Sequence, residues 1–173
     1  YIYSFYTLGT DSLIFENNEI ARPNRTLNFT TFYGSYAGTG TRNLSFRNNK
    51  IHSPYPAGYT GTVATYLLYA AADATVGNEN IFANNAVYNI GGSGTVYGIY
   101  NLGADGAWYF NNTIDIAGSG AGTVYGVFQS SLASNVQFKN NTININRISG
   151  RNSTKFICTG CSNAITTNFF KPF

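Results

Sequence analysis

The sequence predicts an all-β protein, a parallel β-helix solenoid of about five to six coils with an internal asparagine ladder. Three observations predict this fold. One phrase recurs at near-regular spacing, a second strand-like phrase follows it, and the composition is rich in aromatic residues and glycine but only 10% charged. Self-similarity at a period of some tens of residues indicates a repeat architecture and takes precedence over any local pattern.

The recurring phrase is aromatic-x-Asn-Asn-x-aliphatic. Its five copies are residues 15–20, 46–51, 82–87, 109–114 and 138–143. In the last copy, Val136 and Phe138 share one face of a strand, and Ile143 and Ile145 share one face of the next. A corner at the Asn pair directs both sets into the interior, and Asn tolerates the left-handed backbone that such a corner requires.

The second phrase consists of β-branched and aromatic residues, which favour strands. Its copies are residues 95–100 and 123–128, with a looser copy at 62–67. Each coil therefore has about three short strands, and stacked coils produce parallel sheets without crossover helices. The segment 67–76, which contains three consecutive alanines, could form a short helix, but its position in the repeat favours a strand followed by a turn.

Stacked coils place equivalent Asn side chains about 4.8 Å apart, so that each amide can bond to the next. The first Asn of each pair is the preferred ladder column, and the Asn that follows it is the alternative. The preferred column is Asn17, Asn48, Asn84, Asn111 and Asn140. The same alignment places Glu16 beside Arg47 and Glu19 beside Lys50, two matches of opposite charge.

These phrases resemble the right-handed parallel β-helix repeats of pectate-lyase-like proteins. The motifs Gly-Thr-Val-Tyr-Gly-Ile-Tyr and Phe-x-Asn-Asn-Thr-Ile are most similar to those of large secreted surface proteins of Bacteroidota. The resemblance covers roughly residues 13–157. It implies a right-handed solenoid and a location outside the cell or on its surface, as for cargo of the type 9 secretion system. The family includes lyases, hydrolases, adhesins and inert stalks, so the resemblance does not define an activity.

The 173 residues are expected to form a single β-helix segment, 1–173. The absence of Met and the apolar residues at both ends suggest a segment of a longer chain. The net charge of +3 comes from scattered basic residues, so no nucleic-acid partner is expected. No apolar run long enough for membrane insertion is visible. The oligomeric state is not defined by the sequence.

One outward column of the predicted solenoid is a candidate ligand strip. The position four residues after the first Asn is occupied by His52, Tyr88, Asp115 and Asn144. Such a mixed strip could bind sugar by stacking and hydrogen bonding, although a solvated β face is the favoured interpretation. The seven carboxylates are scattered along the chain, and no acid is forced near His52. We therefore expect no catalytic residues, no metal site and no cofactor.

Three further features are candidates for modification or contact. Cys158 and Cys161 are interpreted as a local disulfide, with free buried thiols as the alternative. The triplet that begins at Asp11 resembles the O-glycosylation signal of Bacteroidota and identifies Ser12 as a candidate acceptor. The Pro-containing stretch 53–59 is the best candidate for a protruding functional loop.

We therefore expect a structural or adhesive segment of a secreted cell-surface protein rather than an enzyme. Its partners would be a surface glycan or other cell-surface or secretion proteins. The alternatives are a polysaccharide lyase or hydrolase on the same fold, or a phage tail-fibre module. The dispersed carboxylates argue against the enzyme, because lyases and hydrolases need several acids in one groove.

Overall fold

The computed structural model describes residues 2–22, 31–56, 58–118, 120–147, 153–158, 165–166 and 169–172. The side chains after residue 146 are outside this description. The described residues form a parallel β-solenoid of about four turns, fewer than the five to six coils expected, and its strands lie in three parallel sheets.

Each coil contributes strands to all three sheets. Sheet 1 contains β1 (Ile2–Tyr3), β2 (Tyr6–Thr7), β5 (Thr31–Ala37), β8 (Ala64–Ala70), β11 (Val96–Asn101), β14 (Val124–Gln129) and β17 (Ser153–Cys158). Sheet 2 contains β3 (Ile14–Glu16), β6 (Ser45–Arg47), β9 (Asn80–Ala83), β12 (Ala107–Phe110), β15 (Gln137–Lys139) and β18 (Ile165–Thr166). Sheet 3 contains β4 (Glu19–Ala21), β7 (Lys50–His52), β10 (Ala86–Tyr88), β13 (Thr113–Gly118), β16 (Thr142–Arg147) and β19 (Phe169–Pro172).

Every sheet grows by one strand per coil, so each strand pairs with its equivalents in the preceding and following coils. The order in sheet 1 is β1, β5, β8, β11, β14 and β17, with β2 also paired to β5. The parallel β-helix and its strand-corner-strand repeat are therefore confirmed. The segment after Leu67 forms the end of strand β8 and a turn, as the repeat predicted, and no helix.

The core consists of columns of equivalent side chains. An aromatic column from sheet 2 runs through Phe15, Phe46, Phe82, Tyr109 and Phe138. Within it, the rings of Phe82 and Tyr109 stack with centroids 5.0 Å apart, and those of Tyr109 and Phe138 with centroids 5.1 Å apart. An aliphatic column from sheet 3 lies beside it and contains Ile20, Ile51, Val87, Ile114 and Ile143. Each side chain thus packs against the same type of side chain above and below it.

The two members of each Asn pair have different roles. The first Asn has a left-handed backbone, with φ between 52° and 59°, and is exposed. The second Asn points inward, and its side-chain amide donates to the side-chain oxygen of the equivalent Asn in the next coil. Four such hydrogen bonds, of 3.1, 3.2, 2.9 and 2.9 Å, join Asn18, Asn49, Asn85, Asn112 and Asn141 in that order.

The ladder is therefore confirmed, but the preferred column is wrong. Asn17, Asn48, Asn84, Asn111 and Asn140 turn the chain at the corner, and their side chains face solvent. The alternative column is the ladder because the residue after the corner is directed into the core. Asn suits both positions for different reasons: it tolerates the left-handed backbone at the first and makes internal hydrogen bonds at the second.

The predicted register is confirmed for the first two repeats. Glu16 pairs with Arg47 across sheet 2, and Glu19 pairs with Lys50 across sheet 3. The Lys50 Nζ atom lies 3.9 Å from Glu19 Oε2, and both side chains are more than half exposed. Such exposed pairs report the alignment of the coils and contribute little to stability.

The described part of the stretch 53–59, which excludes residue 57, packs onto the solenoid and does not protrude as expected. Pro54 and Tyr55 are buried, and the Tyr55 hydroxyl hydrogen-bonds Thr65 Oγ1 on strand β8. The ring of Tyr55 also stacks on Tyr59, with centroids 4.7 Å apart. An aromatic residue in a Pro-rich loop has a large apolar surface, and its burial draws the loop back onto the solenoid.

Candidate functional site

The predicted ligand strip exists as a column on the outer face of sheet 3. His52 pairs with Tyr88, and their rings stack with centroids 4.7 Å apart and an interplanar angle of 8°. Further along, Asp115 pairs with Asn144, whose Nδ2 atom donates to Asp115 Oδ1 over 2.7 Å. The structure thus brings the four residues into one column, in which the rings of His52 and Tyr88 stack and the side chains of Asp115 and Asn144 hydrogen-bond each other.

His52 has a carboxylate neighbour that the sequence alignment did not identify. Its Nε2 atom lies 3.1 Å from Glu19 Oε1, and its Nδ1 atom lies 3.2 Å from Ser53 Oγ. Both ring nitrogens therefore have partners, and the ring face is covered by Tyr88. This arrangement fixes the imidazole between two coils, which is a structural role.

Asp73 and Asp105 lie in equivalent turns of two successive coils, each between a strand of sheet 1 and a strand of sheet 2. Both line an open cavity of about 410 Å³. Asp73 Oδ1 accepts a hydrogen bond from the backbone N–H of Asp105 over 3.0 Å. Asp105 Oδ1 accepts one from the backbone N–H of Ser134 in the following coil. These carboxylates therefore satisfy backbone donors from coil to coil. In the part of the chain that the structure describes, no three His, Cys, Asp or Glu residues are placed to hold a metal ion.

The outer face of sheet 1 carries an array that the sequence analysis did not single out. The first of its two aromatic columns contains Tyr3, Tyr33, Tyr66, Tyr97 and Tyr125. Successive rings stack nearly parallel, with centroids 4.8, 5.0, 4.7 and 4.9 Å apart. This column therefore extends through every coil for which side chains are described.

The second column lies three residues further along each strand. It contains Tyr6, Tyr36, Tyr69, Tyr100 and Phe128. Its rings also stack, with centroids 4.8 to 5.2 Å apart. Between the columns the rings meet edge to face: Tyr66 and Tyr69, for example, are inclined by 86°. The ring planes of the two columns are therefore steeply inclined to each other. We call the ten rings together the aromatic face.

A bend in each strand allows residues three positions apart to share the outer face. In a straight strand, residues i and i+3 point to opposite faces. Here two consecutive buried residues, such as Gly98 and Ile99, separate the two rings, Tyr97 and Tyr100. A Cβ atom on Gly98 would lie 2.6 Å from the carbonyl oxygen of Gly126 in the next coil, so the close approach of these two coils favours glycine there. The bend itself does not need glycine, because Leu67 occupies the equivalent position in β8.

The aromatic face has no formal charge. The sequences of β5, β8, β11 and β14 contain no acidic residue, basic residue or histidine. Burial among neighbouring rings raises the pKa of the Tyr97 phenol to about 12 and raises that of Tyr69 further. The phenols therefore remain protonated at neutral pH and act as both hydrogen-bond donors and acceptors.

The signal for this face was present in the sequence. Aromatic pairs spaced by three residues occur at 33/36, 66/69, 97/100 and 125/128. Such spacing does not fit a straight strand, so strand alternation alone identifies these aromatic residues only as residues that favour strands. Knowledge of the bend is needed to place both rings on one outer face.

Other predicted residues lie away from both columns. Ser12 is exposed in a turn, where its hydroxyl donates to Asp11 Oδ1 and accepts from Asn43 Nδ2. Cys158 ends strand β17, but its side chain and Cys161 lie outside the described residues, so the disulfide stays a prediction. Among the described residues, no helix is long and apolar enough to cross a membrane.

The geometry defines the chain as a parallel β-solenoid with an internal asparagine ladder and an external aromatic face. No protein family, curated protein or solved structure matches the chain significantly.

Proposed function

We propose that the chain is a rigid structural and adhesive segment of a secreted cell-surface protein. The observation that carries the proposal is that its side-chain columns repeat in coil after coil, both inside and outside. An enzyme concentrates unlike groups in one groove, whereas a repeated column offers the same contact at every level. The finer assignment to a right-handed, pectate-lyase-like β-helix of Bacteroidota type belongs to this proposal and rests on the repeated phrases.

Rigidity follows from how the coils contact each other. Each coil is joined to the next by three parallel sheets, by an amide ladder and by stacked aromatic rings in the core. In a solenoid these contacts are between nearest neighbours, so stiffness is maintained along the whole stack. A segment of this kind holds whatever it is joined to at a defined distance from the cell.

The positions of the carboxylates support adhesion over catalysis. General acid-base cleavage of a glycoside needs two carboxyl groups that face the substrate. Asp73 and Asp105 instead accept backbone hydrogen bonds from the next coil, and Asp115 accepts the amide of Asn144. Surface glycans or other cell-surface and secretion proteins are the partners proposed, with an extracellular or cell-surface location.

The proposal is tested with the 173-residue chain coupled to beads. Beads are flowed over immobilised polysaccharides and over whole cells, and the same chain is incubated with the polysaccharides in solution. We expect bead retention without release of reducing ends or unsaturated products. Retention no better than that of albumin-coated beads would contradict the adhesive role, and polysaccharide cleavage would favour the enzyme.

A further inference from the structure

We propose that the aromatic face binds a linear, uncharged polysaccharide that lies along the solenoid axis. This inference deepens the proposed adhesive function and rests on it. It concerns sheet 1, on a different side of the solenoid from the column that contains His52 and Tyr88 in sheet 3. Three properties of the face favour this ligand: the parts of the rings that remain accessible, the absence of charge and the repetition of the rings.

Ring stacking determines what the face offers to a ligand. In each column, successive rings are nearly parallel, so most ring faces are covered by their neighbours. Apart from Tyr69, which is only 7% exposed, the parts left for contact are the ring edges and the phenolic hydroxyls. Aromatic edges carry the positive part of the ring quadrupole, and a phenol both donates and accepts hydrogen bonds. Both features suit a ligand covered with hydroxyl and ether oxygens.

The covering of ring faces by neighbouring rings also disfavours a second copy of the chain as the partner of the aromatic face. Two identical aromatic faces would oppose edge to edge, whereas aromatic rings prefer an edge against a face or an offset stack. Few ring faces are free to accept the partner's edges, because they are occupied within each column. Self-association through this surface would therefore lose the geometry that makes aromatic contacts favourable.

The ligand is inferred to be uncharged because the face has no counter-charge. The four central strands, β5, β8, β11 and β14, contain no charged side chain. A charged polymer would have to shed water from its carboxylates or ammonium groups without gaining an ion pair, which is more costly than the same step for neutral hydroxyls. The protonated state of the Tyr97 and Tyr69 phenols at neutral pH agrees with this.

Repetition of the rings favours a linear polymer over a small sugar. Equivalent rings recur every 4.7 to 5.2 Å along the axis, and their positions are already fixed by stacking. Side chains that are ordered before binding cost little further entropy when they contact a ligand. Contacts with successive sugar units then add within one molecule, so affinity should rise with the length of the oligosaccharide.

The test compares a neutral and a charged derivative of the same backbone and includes a second neutral polymer. The 173-residue chain is immobilised and exposed to hydroxyethyl cellulose, glucomannan and carboxymethyl cellulose, with binding followed by interferometry. We expect binding of at least one neutral polymer and weaker binding of carboxymethyl cellulose. Binding of neither neutral polymer, or equal binding of the carboxymethyl derivative, would overturn the proposal.

Variants that remove phenolic hydroxyls but keep the rings test whether the aromatic face contacts the polymer. The double variant Tyr97→Phe, Tyr125→Phe removes two hydroxyls but retains stacking, and Phe128 shows that Phe is accommodated in these columns. Loss of two hydrogen bonds is expected to weaken binding about tenfold. The matched control Thr113→Val, Thr142→Val also removes two hydroxyls, from exposed neighbours on sheet 3, and should bind like the parent chain. Equal affinity of the double variant, or an equal loss in the control, would contradict the assignment.

The outcomes also separate this inference from the proposed function. If the beads adhere equally with the double variant and the parent chain, adhesion stands and the aromatic face is excluded as its site. If the chain forms a dimer in solution that the double variant does not form, the face is instead a self-association surface and the inference fails. Light scattering measured alongside the binding experiment detects that dimer.

Discussion

The side-chain oxygen of Asn112 accepts two hydrogen bonds from Asn85. One comes from the Asn85 Nδ2 atom over 2.9 Å and the other from its backbone N–H over 3.1 Å. Asn112 in turn donates from Nδ2 to the backbone oxygen of Phe82. One buried side chain thus satisfies polar groups from two other residues, and the same pattern recurs at Asn49 and Asn85.

Asn112→Ala is expected to lower the free energy of unfolding by about 2–4 kcal/mol, because at least two buried polar groups lose their partners. Chemical denaturation measures the change. The neighbour Asn111 provides a matched control, since it is exposed and has a φ of 52°. Glycine accepts that backbone, so Asn111→Gly should change stability by no more than about 0.5 kcal/mol. Similar losses in the two variants would contradict the assignment of the ladder to the second Asn.

Tyr109→Phe is expected to stabilise the protein. Tyr109 is fully buried in the core aromatic column, and no group among the described residues hydrogen-bonds its hydroxyl. Burial also raises the pKa of this phenol. The equivalent positions in β3, β6, β9 and β15 are all Phe. Removal of an unsatisfied buried hydroxyl should add about 1–2 kcal/mol to the free energy of unfolding. A lower melting temperature in the variant would show that the hydroxyl has a stabilising partner.

Gly98→Ala is expected to destabilise the protein by about 1–3 kcal/mol, because its Cβ would overlap a backbone oxygen in the next coil. Gly91→Ala is the control, since a Cβ there meets nothing within 4 Å and its backbone is not left-handed. Thermal unfolding of the two variants provides the comparison. Equal melting temperatures would contradict the close contact between Gly98 and the backbone of Gly126.

Alkaline pH is expected to destabilise the protein through its tyrosines. The pKa of Tyr97 is raised to about 12, mainly by burial, whereas an unfolded tyrosine titrates near pH 10. The unfolded state therefore loses protons first, so the stability present below about pH 10 decreases as the pH rises towards 12. Thermal unfolding followed across this range should show a falling midpoint. In Tyr97→Phe the fall should be shallower, and a midpoint independent of pH would contradict the raised pKa.

The repeated phrase was sufficient to predict the fold because its residues carry two independent constraints. The left-handed corner needs a residue such as Asn17, and the alternation of Phe15 with Glu16 defines which side is inside. Together they determine the register, which Glu16 and Arg47 confirm. The choice between the two Asn columns could not be made, because both Asn side chains suit a ladder and only the backbone turn decides which one points inward.

The candidate site was harder to predict than the fold. Tyr97 and Tyr100 lie on one face only because the strand bends at Gly98, and alternation alone places them on opposite faces. The contact of His52 with Glu19 depends on side-chain reach across two coils, which spacing does not reveal. The burial of Tyr55 likewise depends on the space that the solenoid leaves beneath the loop.

The geometry of the ladder also determines which sequence changes the fold can accept during evolution. Its four links join residues separated by 31, 36, 27 and 29 positions, yet the hydrogen bonds remain between 2.9 and 3.2 Å. Additional residues are accommodated in the turns, so insertions and deletions there leave the stacked rungs intact. Duplication of one coil would lengthen the rod by about 4.8 Å without altering any existing contact between neighbours. Natural selection can therefore adjust the reach of the molecule and the chemistry of its loops as separate traits.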